Sequence, residues 1–403
     1  MNYNIIKYIK KLNKKPSVQR RLLEHFIAQG ASTIPEMSKG IGVSLPTATH
    51  ALNELIKGGL VKEIGKKDNS PGRIPMVYDL MPNAGYFVGV NPEMDCLAFA
   101  ASDFCGNLIT KKIKVPYVYR NTPENLERLG EIINEFIAGL PISKEEILQV
   151  CVNVAERVNP FEGKAYNMFT FLENPLAEKL TELIQLPVCI ENDTRSMAFA
   201  EFIKGCCKGM KDVIFVNMCW GLGIGIIIDG KLYYGKSGYS GEFGHMTAYN
   251  NNIICHCGKI GCIETEVSGR ALKRRLTENI MAGKPSILSD KVLNRKEELS
   301  LQDIMDAIAK EDVLSLATLQ HIADELGKQL AGIINIFNPE MLVIGGEMSV
   351  TGDYLTLPVN MGIKKHSLNV MNEDSQIVTS DLKALAGITG ACLIARDKFL
   401  NEV

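Results

Sequence analysis

A chain of 403 residues exceeds the size at which a single hydrophobic core stops growing, so two or three folding units are expected. With 46% hydrophobic and 22% charged residues it has a globular composition, and no apolar run reaches the roughly 18 residues that a membrane span needs. The net charge of −2 hides a division: residues 1–80 hold 13 Lys or Arg against 6 Asp or Glu, while the remainder has a surplus of nine acids. A basic head on an acidic body is suited to meeting phosphate with one end only.

The opening stretch MNYNIIKYIKKLNKK places lysines around a short apolar patch with no small-residue cleavage site, so a cytoplasmic location is expected. From Ser17 to Gly30, Leu22, Leu23, Phe26 and Ile27 recur at helical spacing. Thr33 and Glu36 then form the two halves of a capping box for a short helix to about Lys39. GIGVS supplies a glycine turn. Ser44 caps a third helix whose apolar stripe is Ala48, Ala51, Leu52, Leu55 and Ile56 and whose other face shows Thr47, Thr49, His50 and Asn53. Next, LVKEIG and IPMVYDL flank a basic tip, KKDNSPGR, as the strands of a β-hairpin wing would. Helix, short helix, glycine turn, helix and wing over residues 1–82 is the order of a winged helix-turn-helix. Double-stranded DNA is therefore the expected partner, with Ser44, Thr47, Thr49, His50 and Asn53 facing base edges and Lys66, Lys67 and Arg73 reaching the backbone or a minor groove.

Beyond Gly85 the pattern alternates. GYFVGV, CLAFAAS and NLITKKIKV read as consecutive strands, ENLERLGEIINEFIAGL as an amphipathic helix, and ILQVCVNV and LPVCIEND as further buried strands. A second series follows: DVIFVNMC, GIGIIIDG and KLYYG, then a long helix from Glu311 to Phe337 leading into MLVIGG. Two such halves predict a two-lobed α/β body with a ligand cleft between the lobes. Eleven cysteines in a chain this long do not make the dense framework of a small secreted domain, and most are expected to be reduced core residues. One group stands apart: HMTAYNNNIICHCGKIGC, residues 245–262, packs one histidine and three cysteines around a second histidine, His256. A catalytic metal, a structural metal and no metal at all are the three readings it allows.

GYSGEFGHM, CHCGKIGCIE and FNPEMLVIGG, preceded by ENDTRSMAFAE, together resemble the ROK family of repressors, unassigned frames and sugar kinases. The resemblance spans nearly the whole chain, because many ROK repressors carry a winged head before a sugar-kinase-like body. It implies two actin-like, ribonuclease-H-like lobes: residues 83–200, completed by a C-terminal helix 387–403, and residues 201–386. It also implies structural Zn²⁺ on His245, Cys255, Cys257 and Cys262, with His256 outside the set; four protein ligands leave no open position for water. The same resemblance makes Asn192, Asp193, Glu242, His245 and Glu264 sugar-binding residues and Asp193 the base of a kinase.

Phosphate chemistry is not expected. Where ROK kinases show a loop resembling DxGGTK, this chain has Asn91-Pro92-Glu93-Met94-Asp95-Cys96, which removes both glycines and puts a carboxylate where phosphate oxygens would lie. A family GTGxG appears as Cys219-Trp220-Gly221-Leu222-Gly223, and a GxPG turn as Asn153-Val154-Ala155-Glu156; only Gly345-Gly346 survives. No ATP is expected. The sequence reading is thus a sugar-responsive transcriptional regulator, a repressor acting as a homodimer or homotetramer, with no catalytic residue. Its rivals are a ROK sugar kinase using Asp193 and a scaffold that answers to a protein partner.

Overall fold

The computed structural model describes residues 8–9, 17–66 and 75–402. The chain folds as two compact units, residues 1–196 with 387–403, and residues 197–386.

After helical Tyr8 and Ile9, the described residues of the first unit run through α1 (Val18–Gln29), α2 (Ile34–Ile41) and α3 (Leu45–Lys57). Each start is fixed by a side chain. Ser17 accepts the Arg20 amide, Thr33 and Glu36 complete the reciprocal capping box, and Ser44 accepts the Thr47 amide. Gly42, at φ 63°, closes α2 in the left-handed region and turns the chain into α3. Leu22, Leu23 and Phe26 of α1 and Ala48, Ala51, Leu52 and Leu55 of α3 are buried. Ile56, expected in the stripe, is 37% exposed, because its position rotates past the edge of the face that α1 covers. Strand β1 (Ser32–Thr33) pairs with β3 (Met76–Leu80), which in turn pairs antiparallel with β2 (Val61–Lys66). Lys67 and Arg73, predicted in the tip of this hairpin, lie outside the described residues.

A five-stranded sheet follows in the order β10-β7-β4-β5-β6. It comprises β4 (Tyr86–Pro92), β5 (Cys96–Ser102), β6 (Leu108–Pro116), β7 (Ile147–Val154) and β10 (Val188–Asn192), while β8 (Val158–Asn159) and β9 (Lys164–Ala165) form a separate small hairpin. The alternation of β4 decides what covers each face. Val88 and Val90 turn to a core that includes Leu129 and Ile133 of α4 (Pro123–Ala138) and Leu180 of α5 (Leu176–Ile184). Phe87, Gly89 and Asn91 turn to the last helix, α12 (Ala386–Glu402). Helix α6 (Asp193–Lys204) leaves β10 without an intervening loop and carries the chain into the second unit after Ser196.

The second unit repeats the topology. Its sheet runs β13-β12-β11-β14-β15, with β11 (Val213–Met218), β12 (Leu222–Ile228), β13 (Lys231–Leu232), β14 (Met341–Gly345) and β15 (Gln376–Thr379). In both sheets a three-strand antiparallel meander is extended by two parallel strands from its first member. The expected KLYYG strand is only two residues long: past Leu232 the chain leaves the edge, although Tyr233 still donates its amide to Ile226. One face of the sheet packs on α7 (Gly269–Met281), α8 (Leu301–Ala309), α9 (Val313–Phe337) and α10 (Asp353–His366), with α11 (Asn369–Asp374) beside them. Among the described residues no helix is long and apolar enough to cross a membrane.

Candidate effector and metal site

At the end of β10 the side chains of Glu191, Asn192 and Asp193 part company. Glu191 is fully buried and pairs with Arg195 one helical turn on, 2.7 Å away, fixing the junction of β10 and α6. Asn192 caps α6 by accepting the Arg195 amide at 3.1 Å and donates to the Glu156 carbonyl at 3.4 Å. Asp193 is half-buried, and its Oδ1 accepts from the Thr194 amide and hydroxyl. Burial pushes its carboxyl up to about 6 despite those bonds and the nearby Arg195 charge, and Glu156 adds to the rise. A carboxyl held against its preference in this way is a mark of a binding or catalytic position.

In the second unit, 3₁₀ turns over Phe243–His245 and Ile263–Thr265 set the other residues. Cys255 Sγ lies 3.6 Å from His245 Nδ1 and Cys257 Sγ lies 3.7 Å from Cys262 Sγ, and all four ligand atoms fall within 4.8 Å of one another. A tetrahedral Zn²⁺ with Zn–S near 2.3 Å and Zn–N near 2.05 Å requires edges of about 3.8 and 3.6 Å, so the four residues fit that ion. Burial pushes Cys255 up to about 12, while backbone and thiol hydrogen bonds outweigh burial at Cys257 and bring it down. Gly261, at φ 76°, has no space for a Cβ against the Tyr249 carbonyl, which ties the second strand of the loop to the first. With Nδ1 toward the thiols, His245 turns Nε2 to Glu242 Oε2 at 3.7 Å.

Glu264 is buried and strongly held. His256 Nδ1 stands 2.8 Å and Arg270 3.2 Å from its Oε1, and the Leu222 amide donates to Oε2 at 3.0 Å. Burial alone would raise its pKa, but these partners outweigh it and keep the carboxylate ionised. His245, His256 and Glu264 also group closely enough for a cation, yet the Arg270 guanidinium beside Glu264 disfavours one there. Sequence reasoning misses His256 and Arg270 as functional side chains. Their role depends on which carboxylate the fold sets beside them, and no spacing rule carries that.

Both altered phosphate loops are closed by their own bonds. Glu93 donates its amide to Cys96 O at 2.8 Å, and the Cys96 thiol donates to the Glu93 carboxylate at 3.1 Å. In the second loop the Leu222 amide is taken by Glu264, and the Cys219 and Trp220 carbonyls accept the Gly269 and Arg270 amides that open α7. A phosphate would have to displace bound acceptors at both places.

On the head, Ser44, Thr47, His50, Asn53 and Lys66 are exposed. Ser44 and Thr47 pair their hydroxyls at 2.7 Å, and half-buried Thr49 returns its proton to the Leu45 carbonyl at 2.8 Å.

The ROK family model matches residues 98–398. The chain belongs to the ROK family. It is 26% identical to the xylose repressor of Bacillus subtilis over 98% of each chain. Among solved structures, a ROK family transcriptional regulator described as a homolog of the E. coli MLC protein superposes with a TM-score of 0.78 at 27% identity, covering 95% of this chain and 96% of that one. A ROK family glucokinase from Streptomyces griseus, in complex with glucose and AMPPNP, gives 0.68 at 26% identity and covers 78% of this chain and all of its own. The ROK chain described here thus has a sugar-kinase-like body, and its likeness to a regulator extends to nearly its full length.

Proposed function

We propose that this ROK protein is a sugar-responsive transcriptional repressor whose winged helix-turn-helix head binds operator DNA. The observation that carries the reading is coverage: the regulator superposes on 95% of the chain and the glucokinase on 78%. The capped helices, the exposed polar face of α3 and the β2–β3 hairpin support a DNA-reading head, with Ser44, Thr47, Thr49, His50, Asn53, Lys66, Lys67 and Arg73 as its contacts. Thr49 spends its proton on the Leu45 carbonyl and offers DNA only acceptor lone pairs, while Ser44 caps its own helix by accepting the Thr47 amide. The body is proposed to be two actin-like lobes, acting in the cytoplasm as part of a homodimer or homotetramer that sets two heads at operator spacing.

Asn192, Asp193, Glu242, His245 and Glu264 are the proposed effector contacts. Two or three ionised carboxylates accepting from neighbouring hydroxyls suit a hexose-like ligand. Zn²⁺ is proposed on His245, Cys255, Cys257 and Cys262; when bound it cross-links residues 245–262 and has no free position for chemistry. His245 then holds Nε2 toward Glu242, and Glu264 stays ionised and oriented by His256, Arg270 and the Leu222 amide. Kinase activity is not proposed, because Pro92 and Glu93 replace the glycine loop and the Glu93 and Leu222 amides are already bonded within the chain.

The test is pooled-fragment DNA selection with the purified protein and with Lys66, Lys67 and Arg73 changed together to alanine. A palindromic site enriched by the first and lost by the second supports the reading; no enrichment by the unaltered protein contradicts it. Thermal shift separates the kinase: stabilisation by a monosaccharide but not by ATP with Mg²⁺ fits a sensor, and stabilisation by both fits an enzyme.

A further inference from the structure

Asn91 and Asn153, two positions at which the sequence departs from the kinase pattern, meet each other. Asn153 is fully buried on β7; its Nδ2 donates to Asn91 Oδ1 at 2.9 Å and to the Gly387 carbonyl at 3.0 Å, and its Oδ1 accepts the Ser196 hydroxyl at 2.6 Å. Both amide protons are spent. A buried amide bonded on every side locks its neighbours, since any displacement leaves a polar group unpaired. The neighbours are β4, β7, α6 and α12.

Two of these elements matter for signalling. Ser196 lies one helical turn beyond Asn192 and Asp193 on α6, and Gly387 begins the return of the chain in α12. Every residue from 386 to 396 is buried. The helix lies along β4 at close range: Gly390 has no room for a Cβ against the Ser196 carbonyl, Gly89 has none against Ile388 O and the Cys392 amide, and Phe87 packs on Phe399 at 5.9 Å between ring centroids. Its far end is held by the head. Arg20 of α1 donates to the Leu400 carbonyl and to the Asn401 side chain. Helix α1 in turn packs on α3. Seventeen residues at 1.5 Å each make a rod of about 25 Å.

We propose that α12 is the coupling element of this regulator, latched at one end by the Asn91–Asn153–Ser196 amide network beside the effector residues and clamped at the other to the DNA-reading head by Arg20. The proposal rests on the sensor reading for its purpose. Effector seating at Asp193 biases α6, the latch passes that bias to the start of α12, and a helix buried on every side from residue 386 to 396 transmits it as a rigid shift. Asn91, the first residue of the altered loop, thereby serves as part of the latch. Coupling of this kind is reciprocal, so a change at either end is felt at the other.

Hydrogen–deuterium exchange on the full-length, zinc-loaded protein tests this with neither DNA nor sugar, so its outcome is independent of whether an operator or an effector is found. Asn153→Asp keeps the side-chain shape but removes the donor to both Asn91 Oδ1 and Gly387 O; it should speed exchange in residues 18–29 by about threefold or more. Arg20→Ala, a half-exposed change that spares the core, should speed exchange in residues 386–391, the end of the rod away from Arg20. In the double variant the Asn153→Asp effect on residues 18–29 should vanish, because the clamp is gone. Changes confined to residues near each substitution, or an undiminished effect in the double variant, would overturn the proposal. If Asn153→Asp does not retain zinc and a cooperative melt, the Arg20→Ala arm decides alone.

Discussion

Asp193 shows what a single side chain is made to tolerate. Its carboxyl sits at about 6 against an ordinary 3.8, chiefly through burial. The folded chain therefore binds this proton more tightly than the unfolded chain, and stability contributed by the protonated form is lost as pH rises from about 4 to 6. Asp193→Asn should raise the melting temperature above pH 6 and leave it unchanged at pH 4. The gain should correspond to about 1–2 kcal/mol, discounted because the side chain is only half-buried. The same change removes a charged acceptor, so sugar-induced stabilisation should fall while intrinsic stability rises. For the unaltered protein, sugar affinity should weaken below pH 6 as the acceptor becomes protonated. Melts from pH 4 to 8, with and without a monosaccharide panel, check both; equal melting temperatures at every pH would contradict the assignment. Glu264 takes the opposite course, since His256, Arg270 and the Leu222 amide keep it ionised despite burial.

At the scale of elements, α3 separates folding from reading. Leu52 is 1% exposed against the rest of the head, and Leu52→Ala should cost about 2–4 kcal/mol in head stability by transfer and cavity terms. His50→Ala and Asn53→Ala should leave stability within about 0.5 kcal/mol. Each would nonetheless weaken operator binding by roughly 1–3 kcal/mol if it meets a base edge. Circular dichroism melts beside gel-shift titrations separate the two effects. The metal loop offers a parallel case. Cys257→Ser should lower bound zinc from one per chain to a small fraction and speed proteolysis within residues 246–262, because the ion is what joins His245 to the three thiols, although backbone bonds such as Tyr249 to Gly261 and Cys255 to Lys259 remain. Metal analysis and limited proteolysis read these two outcomes. The head helices and the metal quartet are legible in the sequence because their signals are local: a cap three residues from its partner, a stripe at i, i+4, cysteines within eight positions. Ile56 and the KLYYG strand are misread from sequence because their fate depends on how far a neighbouring element extends.

For the whole molecule, the repeated strand series can be read in the sequence, since buried strands carry their pattern in β-branched runs. The convergence of Asn91, Asn153, Ser196 and Gly387 cannot, because these residues are 62, 43 and 234 positions apart in their hydrogen bonds and only the packed sheet brings them together. Charge is the other property of the whole chain, and it predicts how the protein meets DNA. The head carries +7 and the body −9. An acidic body repels the phosphate backbone, so contacts should be confined to the head and operator affinity should fall steeply with salt. The slope of log K against log salt is about −0.9 for each phosphate neutralised. Lys66→Ala should therefore flatten it by about one unit per head, two for a dimer on a palindrome, and lower affinity for specific and random DNA alike. Asn53→Ala should leave the slope unchanged while narrowing the gap between specific and random DNA. Titrations from about 50 to 200 mM salt distinguish these cases. An unchanged slope in Lys66→Ala would place the hairpin away from the backbone, and a shallow slope in the unaltered protein would deny the head its electrostatic role.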